Sequence, residues 1–224
     1  MKINRTILVL FNLLSLSVQA LTMKDVLLSM PTDLLPTLPL SARQDLVDFY
    51  TNNRTAAMPA AFNNQMILKV FTEDYLLLQT SPVSTLQVKR LSVDDTMTVL
   101  ALIHTTQGPL EDSRLVFFSP DWKPIPQGGQ PLLKPSSFLR TQDEELARRF
   151  DADCARLFVR MAWLPASTDL ITTHSLKVDV PFETLLPYQE LLVDTLRLVW
   201  SGKGYRPAFN KAPVTGQTST VLVK

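Results

Sequence analysis

Residues 65–107 read QMILKVFTEDYLLLQTSPVSTLQVKRLSVDDTMTVLALIHTTQ, and this stretch decides the fold. From Gln65 the apolar period is two: Met66, Leu68 and Val70 alternate with Ile67, Lys69 and Phe71. A period of two is the signature of a strand, because successive side chains point to opposite faces of a sheet. After Glu73-Asp74 a second apolar run goes from Tyr75 to Leu78. Leu86 and Val88 then alternate with Thr85, Gln87 and Lys89, which reads as a half-buried strand with its polar face in water. Thr96 to Thr106 is long and apolar on both faces and reads as a central strand. Short, turn-rich links between these runs favour hairpins and meanders over parallel crossovers.

The same pattern extends downstream. Arg114 to Ser119 places Leu115 and Phe117 on one face, and a proline-rich loop from Pro120 to Pro135 follows. Thr141 with Glu144 has capping-box spacing and predicts a helix over 142–152 that buries Leu146 and Phe150. Leu157, Val159, Met161 and Trp163 share a strand face, as do Leu170, Thr172, His174, Leu176 and Val178. Phe182 to Leu192 reads as a short helix interrupted at Pro187, and Leu196, Leu198 and Trp200 share the face of a last strand. Trp163 and Trp200 are therefore expected in one core, on neighbouring strands. Upstream, Met23, Val26, Leu27 and Met30 have helical spacing. Ser41 with Gln44 marks a helix over 42–50. The expected fold is α+β: a mostly antiparallel sheet, open to division into two β-rich halves, with a few packing helices.

Lys2 and Arg5, the apolar run Ile7 to Val18 and the small-residue end Val18-Gln19-Ala20 form the three parts of a secretory signal peptide. The apolar run is too short for a membrane span of about 20 residues. The chain is thus expected to divide into a signal at 1–20, a helical and loop-rich segment at 21–64, an antiparallel α+β domain at 65–206 and a flexible tail at 207–224. Its expected location is periplasmic or otherwise exported, without membrane insertion after cleavage near Ala20. Cys154 is the only cysteine, so no internal disulfide is available. Carboxylates on either side of it argue for an inert thiol rather than a nucleophile.

Composition excludes several functions. With 22 basic and 21 acidic residues the formal net charge is +1, which leaves no basic excess for nucleic acid. Six glycines against 16 prolines make phosphate-cradling loops improbable, and no cofactor is expected. His104 and His174 lack further ligands at metal-site spacing, so no metal is expected. Asp94-Asp95 reads as turn chemistry and Glu144-Glu145 as a helix first turn. Asp151-Ala152-Asp153 resembles the start of a calcium loop but lacks its glycine and closing glutamate. No catalytic residue is assigned. The candidate surface contacts are Trp122, in Pro120-Asp121-Trp122-Lys123-Pro124, and Tyr205, in Gly204-Tyr205-Arg206, because an exposed aromatic can stack on a sugar or anchor a partner.

Thr22-Met23-Lys24-Asp25-Val26, Ser29-Met30-Pro31, Leu34-Leu35-Pro36, Asp74-Tyr75-Leu76, Ser84-Thr85-Leu86 and Asp112-Ser113-Arg114 stand in that order after the signal. With Asp121-Trp122-Lys123-Pro124 and Trp200-Ser201-Gly202, they resemble the Bacteroidetes secreted family called domain of unknown function 3256, from the signal to about Arg206. The resemblance implies a cell-envelope protein and transfers no functional residues. The expected role is a non-enzymatic binding or interaction module whose partner is an envelope protein or a glycan. Two alternatives stand beside it: an envelope hydrolase using carboxylates, and an assembly protein whose tail docks elsewhere. The first expectation is directly measurable: N-terminal sequencing of exported protein should start near Leu21, and a product that retains Met1 would contradict the signal reading.

Overall fold

The computed structural model describes residues 21–60, 63–126 and 129–208. The expected signal at 1–20 and all but the first two residues of the expected tail at 207–224 lie outside the described residues. Two antiparallel meanders dominate. The first sheet runs in chain order through β1 (Ala57–Pro59), β2 (Gln65–Phe71), β3 (Tyr75–Ser81), β4 (Ser84–Ser92), β5 (Thr98–Gln107) and β6 (Glu111–Phe118). The second comprises β7 (Val159–Trp163), β8 (Leu170–His174), β9 (Thr195–Trp200) and β10 (Tyr205–Pro207). The fold is α+β, and every strand pair is antiparallel.

The six-stranded sheet is covered on both faces. On one face Leu68, Leu78, Leu86, Val88, Leu100 and Leu102 meet α1 (Met23–Ser29) and α2 (Leu40–Thr51) through Val26, Leu27, Leu46 and Val47. On the other, Tyr75, Ala101, Ile103, Leu115 and Phe117 meet Met161, Trp163, Leu196 and Leu198 of the second sheet. A third cluster joins Phe150 of α3 (Glu144–Asp153) to Leu176 of α4 (Leu176–Asp179), Leu185 of α5 (Phe182–Leu185) and Tyr188. The central-strand reading of 96–106 is met by β5, whose residues feed both large cores.

Several local expectations are corrected. Gln87 and Lys89 are buried, Lys89 completely, because the second sheet covers what the alternation suggested was a wet face. The Lys89 ammonium lies 2.9 Å from Asp74 Oδ2, donates to the Pro165 carbonyl at 2.9 Å and sits 5.5 Å from the Tyr75 ring centre. The alternation in β2 also breaks. Leu68 faces Leu78 and Val70 faces Leu77, so Lys69 is the extra residue of a β-bulge. Beyond it Val70 joins the inter-sheet core and Phe71 the helix-side core, the reverse of strict alternation.

Helix starts move as well. Pro39, not Ser41, precedes α2, and its side chain makes no cap. Asp143, not Thr141, caps α3 by accepting from the Glu145 and Leu146 backbone N–H groups. A capping box that sequence reasoning passed over, Thr22 with Asp25, opens α1. The strand expected through Val178 stops at His174, where α4 follows. The helical and loop-rich segment 21–64 also adds β1 to the sheet, and β10 carries Arg206 and Pro207 into a ladder with β9. Trp163 and Trp200 do share a core, but β8 separates their strands.

Trp122 and Tyr205 are both buried, against the expectation of surface contacts. The turn Ser119–Lys123 holds Trp122 at φ 60° and folds its ring onto Phe118, 5.3 Å between centres. Its indole N–H donates to Ser29 Oγ of α1 at 3.2 Å. A large apolar ring finds cover when a helix layer passes within reach. Tyr205 lies under the second sheet, where its hydroxyl accepts from the Trp163 indole at 2.6 Å and donates to the Thr168 carbonyl at 3.0 Å. Thermal melts should therefore show losses of about 3–5 kcal/mol for both Trp122→Ala and Trp163→Ala. Trp200→Ala, at a partly exposed position, should lose less; wild-type melting of Trp122→Ala would remove that ring from the core.

Candidate functional site

The second sheet covers only part of the face it packs on, and the uncovered part is polar. Register across the first sheet runs Tyr75–Lys89–Ala101–Phe117, then Leu77–Gln87–Ile103–Leu115, then Gln79–Thr85–Thr105–Ser113. The first row lies under the second sheet, and so does the second apart from the partly exposed Leu77 at its β3 end. The third opens into a cleft of about 390 Å³ between β2–β5 and strand β7. Its polar lining is Lys69, Gln79, Thr85, Gln87, Thr105, Gln107 and Arg160, and Leu77, Met161, Trp163 and Pro165 supply apolar wall.

The back of the cleft is built by hydrogen bonds between the sheets. β7 is an edge strand, and its outward backbone N–H groups need acceptors. Val159 N–H donates to Asp112 Oδ1 at 3.3 Å, Met161 N–H to Ser113 Oγ at 2.9 Å and Trp163 N–H to Gln87 Oε1 at 3.3 Å. Gln87 Oε1 also accepts from the Tyr75 hydroxyl at 3.0 Å, and Gln87 Nε2 donates to the Met161 carbonyl at 3.1 Å. Burial raises the Tyr75 hydroxyl pKa to about 12, so it remains a donor at neutral pH. Thr105 and Ser113 bond each other at 2.8 Å. Gln79, Thr85 and Gln107, in contrast, make no side-chain hydrogen bond to any described residue. The Arg160 guanidinium, 3.3 Å from Glu111 Oε2, closes one end. Lys69, on the same face beside the bulge, has no carboxylate partner among the described residues.

The groups weighed from sequence lie elsewhere. His174 donates or accepts at both ring nitrogens, with Nε2 3.0 Å from the Val193 carbonyl and Nδ1 accepting from Leu176 N–H at 3.1 Å. Burial depresses its pKa below 6.5. His104 is exposed, with Nε2 2.9 Å from Ser84 Oγ on the helix-side face; no carboxylate orients its ring among the described contacts. Cys154 is buried, and burial, then Asp153 and Asp151, push its thiol up to about 11, which removes it as a nucleophile near neutral pH.

The carboxylate pairs have structural work. Asp94 Oδ1 accepts from Thr96 and Met97 N–H groups, which hold its pKa down. Asp151 accepts from Ser136 N–H and Oγ, Asp153 accepts from the Tyr188 hydroxyl, and Glu145 pairs with Arg148. Among the described residues no three His, Cys, Asp or Glu side chains gather as a metal site. None of these groups enters the cleft. Its residues were missed because isolated glutamines and threonines on strands carry no motif. The available signal was three glutamines, 79, 87 and 107, in the polar phase of adjacent strands.

A family model described as "Protein of unknown function (DUF3256)" matches residues 15–177. The chain belongs to that DUF3256 family. The match stops short of Arg206, so β9 and β10 lie beyond it. A solved structure of a domain of an uncharacterized protein from Porphyromonas gingivalis W83 is similar to this chain with a TM-score of 0.68 and 18% identity, covering 83% of this chain and 98% of that one. At that identity the likeness shows the fold. No curated protein matches. The DUF3256 chain has no helix among its described residues long and apolar enough to cross a membrane.

The state of His174 has a measurable consequence. Its folded pKa lies below the unfolded 6.5, so on acidification the unfolded chain takes up this proton first. Stability is complete above about pH 6.5, falls as pH drops through the interval between the two pKa values, and levels off below the folded one. Urea melts from pH 7.5 to 5 should show this fall, and His174→Gln should flatten it; an equal slope in the variant would place the proton uptake elsewhere.

Proposed function

We propose that this DUF3256 protein is a non-enzymatic binding module of the cell envelope, exported through its N-terminal signal, and that the inter-sheet cleft holds a hydroxyl-rich glycan. One observation carries the reading: the cleft floor lies on strands β3, β4 and β5, each paired on both sides. Their backbone groups are committed to ladders, so a peptide cannot be taken up there by strand addition. What the floor offers is side-chain amide and hydroxyl groups beside apolar wall. Amides donate and accept at once, as a ligand with scattered hydroxyls requires. The apolar wall suits the C–H faces of a sugar ring, and a few placed polar groups among apolar ones are the usual make-up of a ligand site.

The lining also bears on the hydrolase alternative. Two-carboxylate glycoside chemistry needs an acid and a second carboxylate flanking the bond, and the described lining residues include no Asp or Glu. Calorimetry with fragments of purified envelope glycan should detect binding without release of reducing ends. The Gln79→Ala/Gln107→Ala double variant should bind at least about tenfold more weakly, since each change removes a hydrogen bond worth about 1 kcal/mol. Its melting should stay close to wild type, because both side chains are partly exposed and unpartnered. Release of reducing ends by wild type alone would favour the hydrolase, and unaltered binding by the double variant would remove the cleft from the function.

A further inference from the structure

We infer that Lys69, on the cleft side of β2 beside its bulge, is a carboxylate anchor, so that the ligand is an acidic saccharide bearing a uronate or comparable carboxylate group. This rests on the glycan reading above and deepens it. Strand geometry is the first basis: Lys69 follows the helix-side Leu68 and so faces the cleft, and the bulge turns Val70 to the same side. Leu68 opposite Leu78 and Val70 opposite Leu77 leave Lys69 as the unpaired extra residue, and Lys69 and Val70 both line the cleft. Bulges re-aim side chains and gather next to binding sites. In an unbulged strand Val70 would instead continue the helix-side row of Leu68.

Charge is the second basis. The cleft's described lining contains two cations, Lys69 and Arg160, and no carboxylate. Arg160 is answered by Glu111 at 3.3 Å. The other lysine on this face of the sheet, Lys89, is fully buried and answered by Asp74 at 2.9 Å. Lys69 alone of the three keeps its ammonium without a described anionic partner, next to Gln79, whose amide is also unpartnered. Gln79 faces Ile67, so Lys69 is its diagonal neighbour on the adjoining strand, and an ammonium and an amide about 7–8 Å apart at the backbone can hold a carboxylate and a neighbouring hydroxyl of one sugar unit.

The test is a printed array in which uronate-containing oligosaccharides stand beside their carboxyl-reduced, neutral counterparts, probed with the exported protein and with Lys69→Gln and Lys69→Arg. Wild type should prefer the acidic member of a bound pair by about fivefold to tenfold, the range for a charged hydrogen bond at a partly exposed site. The preference should fall below about twofold in Lys69→Gln, persist in Lys69→Arg, and shrink as salt is raised. Equal binding of acidic and reduced members, with both weakened by Gln79→Ala/Gln107→Ala, would overturn the inference and leave the glycan reading standing. Retention of the preference in Lys69→Gln would also overturn it. An array with no bound pair at all would count against both.

Discussion

An edge strand cannot be buried against another sheet unless its free N–H groups find acceptors, and strand β7 meets that demand with three side chains. Asp112, Ser113 and Gln87 receive the N–H groups of Val159, Met161 and Trp163. Each unsatisfied donor would cost about 1–3 kcal/mol in this setting, so the docking position of the second sheet depends on these contacts. Gln87 does the most, bonding Tyr75, Met161 and Trp163 at once. It ties the cleft wall to the cleft floor.

The same constraint explains why the cleft exists. Once β7 is held by residues of β4 and β6, the second sheet lies toward that side of the six-stranded sheet. The outer parts of β2 and β3 are only partly covered on that face, where polar Lys69 and Gln79 stand beside Val70 and Leu77. The helix side shows the complementary solution, in which apolar rows from Leu68 to Val88 meet α1 and α2, and Trp122 pins its turn to Ser29. Two different coverings therefore act on one sheet: a helix layer that seals, and a smaller sheet that leaves a groove.

Much of the architecture was readable from period and punctuation. The two-faced apolar run at 96–106 announced a strand covered on both sides, and β5 is that strand. The alternating runs ending at Trp163 and Trp200 announced one core. The α+β class and the antiparallel pairing followed from short links. Failures arose where a local rule met a tertiary partner. Gln87 and Lys89 looked like a solvent face because alternation reports polarity, not water; here polarity answers a second sheet. Trp122 looked exposed because prolines flank it, yet a positive φ turns it onto a helix 93 residues earlier in the chain. The strand past His174 failed because α4 replaces it, burying Leu176 in the third cluster and turning Val178 out to solvent.

By itself the sequence determined the class of each long element, the apolar positions of the cores and the isolation of Cys154. These depend on side-chain polarity at fixed spacing along one segment, and a segment carries that information alone. Only the tertiary structure decided which polar residues face a cavity. Val70 joins Lys69 on the cleft side through a one-residue bulge, and Gln79, Thr85 and Gln107 meet across three strands. Register between strands is set by the sum of all pairings and by the sheet packed above. No local pattern along the chain encodes that sum.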